Sequence, residues 1–238
     1  MTEYALNFRD IFKHYEKKPV LRGINLGVRT GECFGLIGMN GAGKTTLIKC
    51  LLDFSAPDSG TIDILNLSHR LTPARKPLAY LPERFMPPHY LTGLDFIKYT
   101  LQLQAIEYDP QATTHQLAAL DFDPAALNKP VRVYSKGMTQ KLGLIACLLA
   151  GKQLFVLDEP MSGLDPKARV LLKQCLRDLH AAGATLFFST HALTDVLEIC
   201  DRMAILHEGQ VKFVGSPAQC CQQYASDTLE QAYLQCIM

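Results

Sequence analysis

No apolar run in this chain is long enough to cross a bilayer. The longest one of helical character covers residues 142–151, far short of the ~20 residues a spanning helix needs. Residues 1–10 carry neither a basic head nor an apolar stretch, which predicts no secretory leader. An excess of one charge sign is also missing. Lys and Arg number 24 against 23 Asp and Glu, a net charge of +1, and no basic tail or block stands out. The electrostatic footprint of a nucleic-acid binder is therefore lacking, and no nucleic-acid partner is expected. The eight cysteines are scattered, only Cys220 and Cys221 adjoin, and none forms a C-x-x-C pair. Zinc and redox centres built on that spacing drop out, leaving the thiols as small apolar residues of a reducing compartment. If such a chain works at a membrane, the spanning part must come from another chain.

What is present is a chain of 238 residues, 48% hydrophobic and 20% charged, enough for one large domain or a domain with an inserted lobe. Residues 5–12, 24–28 and 61–65 alternate or cluster apolar side chains between Gly, Pro and Asp breaks, as strands do. Residues 154–157 and 186–189 read as fully buried strands of the kind found in parallel sheets. Residues 164–182 and 193–200 carry helical spacing, and 203–206 and 211–214 flank a turn at Glu208-Gly209. From 92 to 151 the pattern is helical, polar and Ala/Gln-rich around 111–119. The pattern predicts an α/β fold: a parallel sheet with flanking helices, an antiparallel β portion at the N-terminus and an inserted helical lobe. Within a single domain 1–238, the expected core is 1–84 and 152–214, the lobe 85–151 and the tail 215–238.

The most informative segment is Gly38-Met39-Asn40-Gly41-Ala42-Gly43-Lys44-Thr45, a full match to G-x-x-x-x-G-K-[ST]. The apolar run 33–37 before it has strand character, and 45–52 after it can run as a helix. A strand, a glycine loop and a helix in that order aim backbone N–H groups and a helix N-terminus at one point, which suits a nucleoside triphosphate. Lys44 can reach the β- and γ-phosphates, and the Thr45 hydroxyl can ligate Mg²⁺. A second metal contact is expected from an acid at the end of a buried strand. Asp158 follows the run 154–157, and Glu159 comes next, before Pro160 stops the strand. Adjacent side chains at a strand end point different ways, so one can hold a metal while the other polarises a water. Alone, this pair is equally well a solvated strand end; the phosphate loop tips the balance.

Together these residues resemble the nucleotide-binding subunit of ABC transporters, and the likeness covers nearly the full length. Leu154-Phe155-Val156-Leu157-Asp158-Glu159-Pro160 looks like the Walker B motif with its catalytic glutamate. Ser162-Gly163-Leu164-Asp165-Pro166 looks like the D-loop, and Ser189-Thr190-His191 like the switch-histidine segment. Tyr134-Ser135-Lys136-Gly137-Met138-Thr139-Gln140-Lys141 looks like the signature sequence. The resemblance implies the P-loop NTPase fold and ATP with Mg²⁺ as cofactors. Catalytic roles fall to Glu159, His191 and Lys44. ATP binding falls to Gly38, Met39, Asn40, Gly41, Ala42, Gly43, Lys44, Thr45 and Thr46, with Tyr15 stacking on adenine. It further implies that Ser135, Gly137 and Asp165 contact the ATP of an opposite subunit, so that two chains, expected as a homodimer, enclose two nucleotides. An integral-membrane permease on a separate chain would hold the dimer at the cytoplasmic face and use it for transport, with export the expected direction. Two alternatives stay open. A soluble relative acting on nucleic acid, ribosomes or protein assembly usually carries paired nucleotide domains, a coiled-coil insertion or basic extensions, none visible here. A regulatory module that hydrolyses poorly is argued against by Glu159.

The chain departs from the family pattern in places. Glu83, in Tyr80-Leu81-Pro82-Glu83, stands where a glutamine is usual, and can still ligate the metal alongside Thr45 and Asp158. Lys136 and Met138 replace a glycine and a glutamine of the signature. These variants, with the terminal segment 228–234, look like the export-type subgroup called ABC-2. Residues 84–91 are rich in apolar groups yet unable to form a regular helix or central strand. Either they form a buried loop, or Phe85, Met86 and Tyr90 line a groove for a short helix of the membrane partner.

Overall fold

A computed structural model describes residues 3–238; Met1 and Thr2 of the opening segment lie outside the described residues. The chain begins with β1 (Tyr4–Tyr15) and β2 (Lys18–Arg29), crosses to β3 (Cys33–Ile37) and α1 (Lys44–Leu51), and returns as β4 (Ser59–Ile64) and β5 (Leu67–Ser68). A short α2 (Thr72–Arg75) leads into β6 (Leu78–Leu81). Next come α3 (Gly93–Leu103), α4 (Pro110–Ala119), two 3₁₀ turns (Pro124–Asn128 and Val131–Val133) and α5 (Lys136–Leu149). Then follow β7 (Leu154–Asp158), α6 (Pro166–Ala181), β8 (Thr185–Thr190), α7 (Leu193–Ile199), β9 (Arg202–His207) and β10 (Gln210–Gly215). Two helices, α8 (Pro217–Gln223) and α9 (Leu229–Ile237), complete the described chain.

Two sheets result. The antiparallel one has the order β2-β1-β4-β5, and the larger one runs β10-β9-β3-β8-β7-β6. Strands β9, β3, β8, β7 and β6 are mutually parallel. The expected parallel core is present, and at one edge of it the 203–206 and 211–214 segments form a hairpin, with β10 pairing antiparallel with β9. The cause is local: Glu208 and Gly209 form a two-residue turn with φ of 46° and 75°, and positive φ at both positions is what a tight hairpin requires.

Strand alternation divides the apolar side chains between two layers. Phe34 and Leu36 of β3, Leu154 and Val156 of β7 and Phe187 of β8 face the antiparallel sheet and pack with Leu47, Ile48 and Leu51 of α1. The Phe187 ring sits 6.2 Å from both Phe8 and Phe34, tying the two sheets together. Truncating such a ring costs about 3–5 kcal/mol. On the opposite face Phe155, Leu157, Leu186 and Phe188 pack against the helical segment, chiefly Leu142, Ile145 and Phe96. Helix α3 starts at Thr92, which accepts the Asp95 N–H, and α5 starts at Ser135, which accepts the Met138 N–H. A third cluster seats α9 on β9 and β10 through Leu229 and Ala232.

Residues 82–92 follow no regular ladder, as expected, but they are not uniform. Phe85 turns inward, its ring 5.5 Å from Phe96 and close against Gly143. Met86 and Tyr90 are 85% and 74% exposed. The expectation that Phe85 shares one groove with them is therefore corrected: Phe85 belongs to the apolar packing and the other two to the surface. No helix among the described residues is long and apolar enough to cross a membrane.

Candidate functional site

The glycine loop leaves β3 at Ile37, between ladder partners Thr190 of β8 and Ile205 of β9. It therefore opens at the carboxyl ends of the parallel strands, where open α/β sheets hold their ligands. Two of its glycines are forced by their surroundings. A side-chain carbon at Gly38 would lie 2.5 Å from the Leu206 carbonyl oxygen, and Gly43 is left-handed at φ 114° with Val20 and Leu21 within 3.0 Å of where its Cβ would be. The Ala42 N–H closes the loop on the Met39 carbonyl at 3.1 Å. Helix α1 starts directly at Lys44 with no side chain capping it, so its first-turn N–H groups face the same space as the loop.

Lys44 is buried, and its Nζ donates to the Gly38 carbonyl at 2.6 Å and to the Met39 carbonyl at 3.4 Å. It also pairs with Glu159 Oε1 at 3.2 Å, an ion pair without hydrogen-bond geometry. The other oxygen of Glu159, Oε2, lies 2.9 Å from His191 Nδ1, so the three predicted catalytic residues meet in one chain of contacts. Glu159 is itself buried and adopts a left-handed φ of 50°, an uncommon conformation for a residue with a side chain. Ser189 holds it there: the Glu159 N–H donates to Ser189 Oγ at 3.0 Å, and the Ser189 hydroxyl donates to Asp158 Oδ1.

Asp158 is fully buried at the end of β7, and its Oδ2 has no hydrogen-bond partner. Burial pushes its carboxyl above the ordinary range; hydrogen bonds from Ser189 and Thr45 offset part of that, while the negative charges of Glu83 and Glu159 add to it. A dry, unsatisfied carboxylate oxygen beside the Thr45 hydroxyl is a hard-oxygen donor set of the kind Mg²⁺ takes. Among the described residues no group of three or more His, Cys, Asp or Glu could hold a metal by itself. The fit is thus to an ion that shares its coordination with phosphate and water rather than one caged by protein.

Lys44, Thr45 and Glu159 open onto a cleft of about 1070 Å³, whereas Asp158 and His191 are not part of its lining. Met39, Asn40, Gly41, Gly43, Lys44, Thr45, Thr46, Glu83 and Glu159 lie along it, and Tyr15 lies at its rim. The Tyr15 ring is 45% exposed, with Lys13 Nζ 5.5 Å from its centre, which marks it as a surface ring available for stacking rather than a core tyrosine. Gly38 and Ala42 support the loop from behind, pressed against each other and β9. The cleft also takes in Lys18, Arg22 and Arg84, cations that strand and loop patterning alone did not single out. Ser189 was likewise missed as a bridge; its signal is one hydroxyl ending the apolar run 186–188.

Ser135, Gly137 and Asp165 do not line this cleft. They gather elsewhere. Ser135 caps α5, Asp165 caps α6 by accepting the Ala168 N–H at 2.9 Å, and a Cβ at Gly137 would sit 3.3 Å from the Gly163 carbonyl. Gln140 Nε2 donates to the Pro160 carbonyl, fixing α5 to the loop after Glu159.

Comparison with known proteins gives concordant results. The family model described as ABC transporter matches residues 21–162. An uncharacterised ABC transporter ATP-binding protein of Nostoc sp. is 39% identical over 215 residues, 88% of this chain and 63% of that protein. The chain thus spans less than two thirds of the length of this relative. A Nod factor export ATP-binding protein I of Burkholderia orbicola is 32% identical over 220 residues, 91% of this chain and 72% of that protein. The solved ATP-binding subunit of an ABC transporter superposes with a TM-score of 0.85 at 29% identity, covering 98% of this chain and 99% of its own.

Proposed function

Because the chain belongs to the ABC transporter family, we propose that it is the ATP-binding and ATP-hydrolysing subunit of an exporter whose membrane-spanning permease is a separate chain. One observation carries the reading: the buried Asp158 Oδ2 without a partner, set beside the phosphate loop. An ionised oxygen held dry and unsatisfied is costly unless a cation completes it. Thr45, Asp158 and Glu83 would hold Mg²⁺, which supplies charge neutralisation to the γ-phosphate when bound.

The chain's own groups do the rest. The loop N–H groups and the N-terminus of α1 cradle the β- and γ-phosphates, and Tyr15 stacks on the base. Lys44 exchanges its ion pair with Glu159 for the phosphates, which frees the Glu159 carboxylate. Glu159 then orients the attacking water and accepts its proton, while His191 steadies the carboxylate through its 2.9 Å contact and meets the γ-phosphate. Ser135, Gly137 and Asp165 do not line the cleft of their own chain, which supports their use on the nucleotide of a second copy. A head-to-tail homodimer closed by two ATP molecules would be opened by hydrolysis, since the ligand contributes to holding it.

Export is supported by the relative named as a Nod factor export ATP-binding protein. The segment from Glu83 to Tyr90 links the metal site to exposed Met86 and Tyr90, so a permease helix seated there, on the cytoplasmic side, would respond to the nucleotide state. The test is co-purification of the tagged chain from detergent-solubilised membranes. Recovery of a polytopic membrane protein in fixed ratio supports the proposal; recovery of soluble machinery alone contradicts it.

A further inference from the structure

The aromatic ring at the rim of the cleft is held by a residue outside it. Tyr15 is the last residue of β1, and the chain turns back at once through Glu16, which is left-handed at φ 54°. Among the described residues, the polar group set against this ring is the ammonium of Lys13, lying over it at 5.5 Å from its centre. Lys13 is itself firmly fixed. Its side chain is 14% exposed, and its Nζ donates to the Ala56 carbonyl at 2.8 Å and to Asp58 Oδ1 at 3.2 Å. The other oxygen of Asp58 accepts the His14 N–H at 2.6 Å and lies 2.9 Å from His14 Nδ1. The Asp58 N–H donates to the Phe12 carbonyl at 2.8 Å. Residues 12–14 are thus laced to residues 56–58, in the loop that leads from α1 to β4. Helix α1 opens at the phosphate loop, so its two ends serve the two ends of the cleft: the phosphates at one, and through Lys13 the ring at the other.

We infer that Lys13 is a positioning residue for the Tyr15 ring, anchored by Ala56 and Asp58, and that it sets the affinity of the site for the base of the nucleotide. Neither Lys13 nor Asp58 lines the cleft, so neither would touch ATP. The ring's quadrupole draws the ammonium to its face, and with Lys13 itself fixed the ring has one preferred place. A base then meets a ring already ordered, which spares part of the cost of binding. The effect falls on base stacking and leaves the phosphate contacts and the chemical step unchanged. The inference rests on the reading of Tyr15 as the base-stacking ring.

The test is Lys13→Met, which keeps an unbranched apolar stem and removes the ammonium. Three quantities are measured on the full chain: the Kd for Mg-ATP, the Kd for Mg-tripolyphosphate, which offers phosphates without a base, and the kcat at saturating ATP. Loss of the contact between cation and ring predicts an ATP Kd raised about three- to tenfold, with the tripolyphosphate Kd and kcat within about twofold of the parent. Because the chain has no tryptophan, Tyr15→Trp supplies a single indole reporter at the rim. Adding Lys13→Met to that protein should lower the emission anisotropy of the indole without nucleotide. An unchanged ATP Kd overturns the inference, and so does an unchanged indole anisotropy. An equal rise for ATP and tripolyphosphate also overturns it, whatever happens to Tm, since Lys13 would then be packing alone. If ATP binds the Tyr15→Trp protein without altering indole emission, the stacking role given to Tyr15 fails, and the inference with it.

Discussion

Replacing Asp158 with Asn is expected to make the nucleotide-free protein more stable while abolishing its response to Mg²⁺ and ATP. The side chain is fully buried and one oxygen has no partner. Asn keeps the oxygen that accepts from Ser189 and replaces the orphaned, ionisable acceptor with a neutral group. Relieving an unsatisfied buried polar group is worth about 1–3 kcal/mol, more for a charged one. For a chain of this size that corresponds to a Tm rise of about 2–10 °C. The pH dependence follows from the raised carboxyl. The folded state binds this proton more tightly than the unfolded state, so the charged form counts against folding above the ordinary value of 3.8. As pH falls through the raised folded value, the parent recovers that stability and the variant has nothing to recover. The Tm gap between them therefore narrows toward acid. Differential scanning fluorimetry of both proteins from pH 4 to 8, with and without Mg-ATP, provides the assay. A Tm for Asp158→Asn at or below that of the parent at neutral pH would refute the reasoning, as would a Mg-ATP shift equal to the parent's.

Other substitutions probe the surroundings. Lys173 bridges Asp195 at 2.9 Å and Glu198 at 2.8 Å, pinning α6 to α7 below the His191 segment. Lys173→Ala leaves Asp195 buried and unpaired, which predicts a loss of about 3 kcal/mol, read as the urea midpoint. Gly38→Ala drives a methyl into the Leu206 carbonyl, whereas Gly41→Ala meets open space at a left-handed φ of 85°. The first should lower Tm by more than the second, whose cost is about 1–2 kcal/mol; the reverse order would argue against the loop packing described. Met86→Ala with Tyr90→Ala should uncouple transport in vesicles and leave Mg-ATP affinity unchanged, since neither side chain lines the cleft.

The parts of the site legible in the sequence are those written by local rules. A buried strand, a glycine loop and a helix start are contiguous, and so are the acids closing β7, so spacing alone assigned Lys44, Thr45, Asp158 and Glu159. What stayed hidden depends on distant partners. The left-handed backbone at Glu159 is held by Ser189, thirty residues on, and no local pattern encodes it. Phe85 and Met86 are both apolar and adjacent, but only the packing around Gly143 decides that one goes in and the other out. The antiparallel β10 edge is half legible: the Glu208-Gly209 turn is written locally, but the pairing of β9 with β3 on its other side depends on distant residues.

The central claim is that Glu159 activates water for an ATP held by the loop. Steady-state phosphate release and Mg-ATP affinity, measured side by side for the parent and Glu159→Gln, test it most directly. The parent should hydrolyse ATP, and the variant should lose turnover by about 100-fold or more. Affinity should be retained or improved in the variant, because Lys44 no longer has an ion pair to give up. Equal turnover in the two proteins would contradict it.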